Sequence, residues 1–279
     1  MLRLKLSLLC SLLVGMALGV QARTVRILAV GNSFSRDAIE QNLAEIAAAA
    51  GDTAIIGNLY IGGCSLERHL DNIINDKPDY EYCKIWADGV RNVKLNTSIK
   101  EALADEPWDY ISVQQVSQNS GIYETFEASL PGLLKYLRAM APENAEIIIH
   151  QTWAYQNGAS HPGFKNYNCD RATMYRAVID AYDRAAEAEG IRIIVPAGTA
   201  VENARTSFIG DNMTRDGYHM DLGVGRFTVA CVWYEKLFGK NVTENSYIPV
   251  GLEPKLARVA RMAAHYAVKT PSSVTDLSE

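Results

Sequence analysis

The hydrophobic positions along the chain change period repeatedly, and each change marks a passage between strand and helix. Arg26-Ile27-Leu28-Ala29-Val30-Gly31 is a short, nearly unbroken apolar run, as a strand at the centre of a sheet requires. After it, Ile39, Leu43, Ile46 and Ala50 recur at helical spacing and stop at Gly51. The unit then repeats: residues 54–61 predict a second strand, Gly62-Gly63 a break, and Leu66, Leu70 and Ile73 the stripe of another helix. Between residues 80 and 93 aromatic side chains flank Asp88-Gly89, which predicts a hairpin or a small insertion over the sheet. A short helix over 98–104 leads through Pro107 to a strand over 108–115. Leu130, Leu133, Leu134, Leu137 and Met140 predict a further helix, and residues 145–150 the strand after it. The stretch 155–168, with Gly158, Pro162, Gly163 and three asparagines, reads as a long surface loop. Met174, Val178, Ala181 and Tyr182 resume the helical period until Gly190, residues 191–196 supply another strand, and helices over 223–238 and 254–267 close the chain.

Strands alternating with amphipathic helices define an α/β protein, because each helix needs a sheet face on which to bury its stripe. The expectation is a three-layer α/β/α sandwich around a mostly parallel sheet. No Gly/Pro/Ser-rich linker divides the chain, so one domain is expected over residues 23–279. In such a sheet, reactive residues collect beyond the carboxyl ends of the strands.

The first segment follows a different logic. Arg3 and Lys5 precede an apolar run over residues 6–20, and Val20-Gln21-Ala22 offers small residues where a signal peptidase reads. A signal peptide over residues 1–22 is therefore expected, with export to the periplasm or the extracellular space. The run is short for a bilayer crossing, so no stable membrane insertion is expected after cleavage. Cleavage leaves 257 residues with 25 basic and 32 acidic side chains, a formal charge of −7. That acidity, with no long basic run, argues against nucleic acid as a partner. Cys64, Cys83, Cys169 and Cys231 remain, at spacings that match neither a metal clamp nor a dense disulfide scaffold; export permits one or two disulfides, and free buried thiols are the alternative. The five histidines form no zinc spacing, and no metal or other cofactor is expected.

Two short segments carry candidate chemistry. Gly31-Asn32-Ser33-Phe34-Ser35 stands where the first strand gives way to a helix, so the Ser33 hydroxyl can project at the strand end; a helix cap is the alternative use of a serine there. The glycine series and lysine of a nucleotide-binding loop are absent. In Asp216-Gly217-Tyr218-His219, a carboxylate separated by two residues from an imidazole can fold back and fix its tautomer, which is what a serine needs from a base; a polar loop ahead of a helix is the plainer reading.

With these two blocks near opposite ends, the sequence resembles the SGNH hydrolase superfamily, and within it an exported bacterial branch of largely uncharacterised proteins. Val30-Gly31-Asn32-Ser33-Phe34-Ser35 is similar to the first family block and Asp216-Gly217-Tyr218-His219 to the last. The resemblance implies a flavodoxin-like arrangement of the sheet, Ser33 as nucleophile, His219 as base and Asp216 as its acid. It implies an oxyanion hole from the Ser33 and Gly63 N–H groups, Gly63 lying in the block Ile61-Gly62-Gly63-Cys64-Ser65. Where the family commonly has an asparagine after the third strand, this chain has Gln114-Gln115, and a glutamine amide offers the same N–H, as in related sugar-acetyl esterases. Gln114 is favoured over Gln115, since adjacent strand residues point to opposite faces. The implied reaction is hydrolysis of an acetyl or other short acyl ester on a small molecule or glycan, through an acyl-enzyme. His150, which ends a strand, is a candidate for lining the substrate crevice or else a hydrogen-bonded structural histidine; Trp153, Tyr155 and His161 are candidates for a carbohydrate-facing loop, because aromatic rings can cover the apolar faces of sugars, or else anchor that loop. A non-catalytic glycan-binding protein on the same fold is the rival reading.

Overall fold

In the computed structural model, which describes residues 22–278, the predicted alternation becomes a seven-stranded sheet with helices on both faces. The signal peptide expected over 1–22 lies, apart from Ala22, outside the described residues. Strand β1 (Thr24–Gly31) leads into α1 (Ser33–Ile39) and α2 (Leu43–Ala49). The sequence pattern predicts one helix through residue 50; the chain breaks it at Asn42, whose φ of 69° is outside the right-handed helical region. Ile39 and Leu43 are both buried all the same, each carried by its own short helix. Next come β2 (Thr53–Tyr60) and α3 (Leu66–Ile74), whose first turn is capped by the Ser65 side chain accepting from Arg68 N–H. The segment around Asp88-Gly89 is a hairpin of β3 (Tyr80–Ile85) and β4 (Arg91–Thr97). Ser98 and Glu101 then form a reciprocal capping box that starts α4 (Ile99–Leu103).

The second half alternates β5 (Tyr110–Val113), α5 (Tyr123–Glu127), α6 (Leu130–Met140), β6 (Glu146–Gln151), α7 (Arg171–Glu189) and β7 (Ile194–Pro196), followed by α8 (Ala197–Thr206), α9 (Val224–Phe238) and α10 (Pro254–Lys269). Helices α8, α9 and α10 pack on one another, with α1 and α2 against α9, while α3, α5, α6 and α7 form a second group. The stretch 155–168 is a loop, as expected, but not wholly at the surface: a 3₁₀ turn over Pro162–Tyr167 orders part of it, and Tyr155, Phe164 and Tyr167 are buried. Helix α8 has no counterpart in the hydrophobic pattern because nine of its ten residues are buried, Glu202, Asn203 and Arg205 among them, so it carries no exposed polar face to define a stripe.

The strand order is β4-β3-β2-β1-β5-β6-β7. Strands β2, β1, β5, β6 and β7 pair in parallel, in the 2-1-3-4-5 order of flavodoxin-like sheets, and the β3–β4 hairpin adds two antiparallel strands beyond β2. From β1 the chain passes to β2 on one side and later to β5 on the other. The order therefore reverses between β1 and β5, and a crevice opens above their carboxyl ends. The four cysteines among the described residues are free; Cys64, Cys83 and Cys231 are buried and Cys169 is exposed.

Candidate active site

The site begins where β1 stops. A Cβ on Gly31 would fall 2.3 Å from Ser35 Oγ, so only glycine lets the chain turn so tightly into α1. Ser35 occupies that space because its hydroxyl lies 2.8 Å from both the Asn32 carbonyl and Asn58 Oδ1 on β2, which share its one proton. Asn32 is the N-cap, its Oδ1 accepting from Phe34 N–H at 3.0 Å. Ser33 thus becomes the first helical residue, and its N–H has no acceptor within the helix.

Ser33 and His219 are 186 positions apart in the chain, and the fold brings Ser33 Oγ to 2.9 Å from His219 Nε2. On the other side of the ring, Nδ1 lies 2.7 Å from Asp216 Oδ2. A carboxylate only accepts, so Nδ1 donates and Nε2 is the nitrogen left to take a proton from Ser33. Asp216 Oδ1 accepts from the backbone N–H groups of Tyr218 (3.2 Å) and His219 (2.7 Å). Partial burial would raise the Asp216 pKa, but the His219 ring and these two N–H donors outweigh it and hold the carboxyl below its usual range. The side chain of His219 is 20% exposed, enough for a substrate to reach it.

The turn bearing His219 is fastened to the helix bearing Ser33. Thr214 and Met220 pair across its base, and Arg215 N–H donates to the His219 carbonyl at 3.0 Å. Asp37, one helical turn after Ser33 on α1 and 1% exposed, accepts from Met220 N–H (2.9 Å) and Arg226 Nε (2.9 Å), and from the Arg215 guanidinium at 3.1 Å. Beneath the turn, Phe34 stacks on Trp153 with ring centroids 4.1 Å apart, and Trp153 Nε1–H donates to the Tyr218 carbonyl at 2.7 Å.

Two further segments meet at Asn32, next to Ser33. Ile61 to Cys64 form a tight turn closed by Cys64 N–H on the Ile61 carbonyl, with Gly63 exposed at a φ of 63° in the third position, where a type II turn requires glycine. Gln114, which follows β5, is 2% exposed; its Nε2 donates to Asn32 Oδ1 at 2.8 Å, and its Oε1 lies 2.7 Å from His150 Nδ1. Gln115 points elsewhere: its Oε1 accepts from Leu66 N–H (3.0 Å) and Val116 N–H (2.8 Å), and its Nε2 donates to Thr125 Oγ1 (3.0 Å). Its amide joins β5 to the start of α3 and has no atom to spare. Asn32 escapes sequence reasoning as a site residue. An asparagine before a helical serine reads as a cap, and that role uses only Oδ1; its Nδ2 also donates to the Cys64 carbonyl at 2.9 Å, so one side chain joins the serine, glycine and glutamine segments.

The aromatic candidates for sugar contact are placed differently from the expectation. His150, Trp153 and Tyr155 are all fully buried, so none of them presents a ring face to a sugar. They form the floor under the crevice. His161 is half-buried; its Nδ1 accepts from Gly163 N–H at 3.1 Å, which caps the 3₁₀ turn, and burial followed by the neighbouring His219 lowers its pKa. Beside Asp216 opens a cleft of about 310 Å³ lined mainly by polar groups, including Gln156, Asn157, Ser160, Thr214 and Arg215.

Residues 26–267 match a domain of unknown function, DUF4886. The chain is similar to a DUF4886 family protein from Bacteroides uniformis ATCC 8492, with 53% identity, coverage of 91% of this chain and 98% of that one, and a TM-score of 0.90. It also shares its fold, at 21% identity and a TM-score of 0.53, with a provisionally assigned SGNH hydrolase from Slackia heliotrinireducens, over 77% of this chain and 99% of that one. No curated protein matches the sequence.

Proposed function

The chain belongs to the DUF4886 family, and on the geometry of its site we propose that it is a serine ester hydrolase using Ser33, His219 and Asp216. The observation that carries this reading is the continuous line from Ser33 Oγ to His219 Nε2 (2.9 Å) and from His219 Nδ1 to Asp216 Oδ2 (2.7 Å), both within proton-transfer reach. In this mechanism His219 Nε2 takes the Ser33 proton as Oγ attacks the acyl carbonyl, and Asp216 stabilises the imidazolium that forms. Charge developing on the carbonyl oxygen meets the N–H groups of Ser33 and Gly63 and the Nε2–H of Gln114. As the tetrahedral intermediate collapses, His219 returns the proton to the departing alcohol. Water, deprotonated by the same nitrogen, then releases the acid and restores Ser33.

The substrate class we propose is an acetyl or other short acyl ester on a carbohydrate. The hydroxyls and amides of the cleft beside Asp216 support a sugar as the alcohol part, since they offer donors and acceptors to its hydroxyls. Burial of Trp153 and Tyr155 removes the ring surface on which a purely glycan-binding role would rest. Purified protein should release acid from a panel of short activated esters and acetylated sugars, and Ser33→Ala and His219→Ala should abolish that release. Equal hydrolysis by the wild type and both variants would refute the mechanism.

A further inference from the structure

Half a turn of the Gln114 amide about its last bond would put an oxygen where the oxyanion needs a donor. The surrounding hydrogen bonds forbid that exchange. Phe34 N–H can only donate, so it is Asn32 Oδ1 that faces it at 3.0 Å; the Cys64 carbonyl can only accept, so Asn32 Nδ2 faces it at 2.9 Å. With Oδ1 fixed as an acceptor, the Gln114 atom 2.8 Å away has to be Nε2, which places Oε1 at the opposite end. Oε1 accepts as well, so His150 Nδ1, 2.7 Å from it, has to carry the proton. The chain of necessity runs from the first turn of α1 through two amides to one imidazole tautomer.

That tautomer leaves His150 Nε2 bare, and this atom is buried with no hydrogen-bond partner, the ring packing edge-on against Trp233 at 5.1 Å. Burial pushes the His150 pKa down to about 3, so the ring stays neutral. An unpaired buried acceptor costs folding free energy that an apolar side chain at the same place would not. The bond that the other nitrogen makes to Gln114 Oε1 offsets part of that cost.

Resting on the serine-hydrolase reading above, we propose that His150 is a positioning residue that locks the Gln114 amide with its nitrogen toward the oxyanion. One Nε2–H is committed to Asn32; the second, which no described residue accepts, is left for the substrate oxygen. His150 itself, at the base of the crevice and wholly buried, touches no substrate.

The tautomer is read directly from ¹⁵N spectra of ring-labelled protein, which should show a protonated Nδ1 and a bare Nε2 on His150; the opposite pattern would overturn the assignment. In ester hydrolysis, His150→Leu should lower kcat about ten-fold with KM unchanged, while His150→Asn, whose amide nitrogen can take the place of Nδ1, should recover most of the loss. In a Gln114→Ala background His150→Leu should cost nothing further. A KM effect in place of a kcat effect, or a loss undiminished without Gln114, would overturn the proposal. Should His150→Leu fail to fold, the spectrum and the Asn variant still decide. Hydrolysis that survives Ser33→Ala would instead remove the reading beneath, whereas full activity in both His150 variants alongside an inert Ser33→Ala would remove this inference alone.

Discussion

Asp37 is the point at which a single substitution should separate the nucleophile from its base. Its carboxylate lies on the same short helix as Ser33 and holds the backbone directly after His219, together with the guanidinium groups of Arg215 and Arg226. In Asp37→Ala, Arg226, only 10% exposed, loses its carboxylate, and Met220 N–H loses its acceptor. Breaking a buried ion pair by deleting one partner costs about 3–5 kcal/mol. The lower end applies, because Arg215 is 34% exposed and can rehydrate. A cost of about 3 kcal/mol lowers the melting temperature of a domain this size by about 6–12 °C, which leaves the protein folded at 25 °C. At that temperature the effect on ester hydrolysis should exceed the effect on folding: a displacement of His219 by about 1 Å costs on the order of 10² in turnover. Asp37→Asn keeps an acceptor for Met220 N–H and should fall between the two. The assay is a thermal melt paired with kcat at 25 °C. Unchanged kcat in Asp37→Ala, whatever its melting temperature, would refute the claim that this carboxylate sets the Ser33–His219 distance.

The two adjacent glutamines should respond in opposite ways: Gln114→Ala should cut kcat by about 10²–10³ with the fold intact, whereas Gln115→Ala should lower the melting temperature, because Leu66 N–H and Val116 N–H lose their acceptor. A reversed pattern would move the oxyanion assignment to Gln115. Asp52 governs part of the acid stability. Burial raises its pKa, but the bonds from Lys240, Arg23 N–H and Tyr234 outweigh that, so the folded carboxyl titrates below its unfolded value. The stability it supplies is therefore present above about pH 4 and is lost as pH falls through the folded value. Urea unfolding should show wild type and Asp52→Asn well separated at pH 6 and drawing together as pH falls below about 4; a constant gap would contradict this. We propose export on the strength of Arg3, Lys5 and the apolar run before Ala22; N-terminal sequencing of secreted protein should then begin at Arg23, and a chain that keeps residues 1–22 would refute this.

What the sequence discloses depends on whether the information is local. The passage from β1 into the Ser33 turn, and the short Asp216–His219 segment, are legible because a change of period and a two-residue gap are contained in a few positions. The hairpin around Asp88-Gly89 is legible for the same reason. Asn32 is not: its second role depends on the Cys64 carbonyl and on Gln114, which lie 32 and 82 positions away. Helix α8 is hidden because burial on all sides erases the polar–apolar contrast that periodicity needs. The aromatic cluster at 153–167 misleads in the other direction. Composition shows aromatic residues in a stretch rich in glycine and asparagine, and only the packing of Phe34 on Trp153 shows that they face inward.

The two rims of the sheet bear on how this protein behaves in crowded solution. An open sheet offers unpaired amide and carbonyl groups on its outermost strands, which other chains can copy onto. Here β7 covers only Ile194–Pro196, and its last residue has no N–H to offer. The opposite rim, β4, is longer and exposed, with Val93 and Leu95 outward, a combination that invites self-association. Between those two stands Lys94, paired with Glu101 at 3.1 Å, and Arg91, paired with Glu40, begins the strand, so a second chain adding there would have to disturb two ion pairs. Charge along that rim thus works against edge-to-edge pairing at an otherwise apolar ribbon.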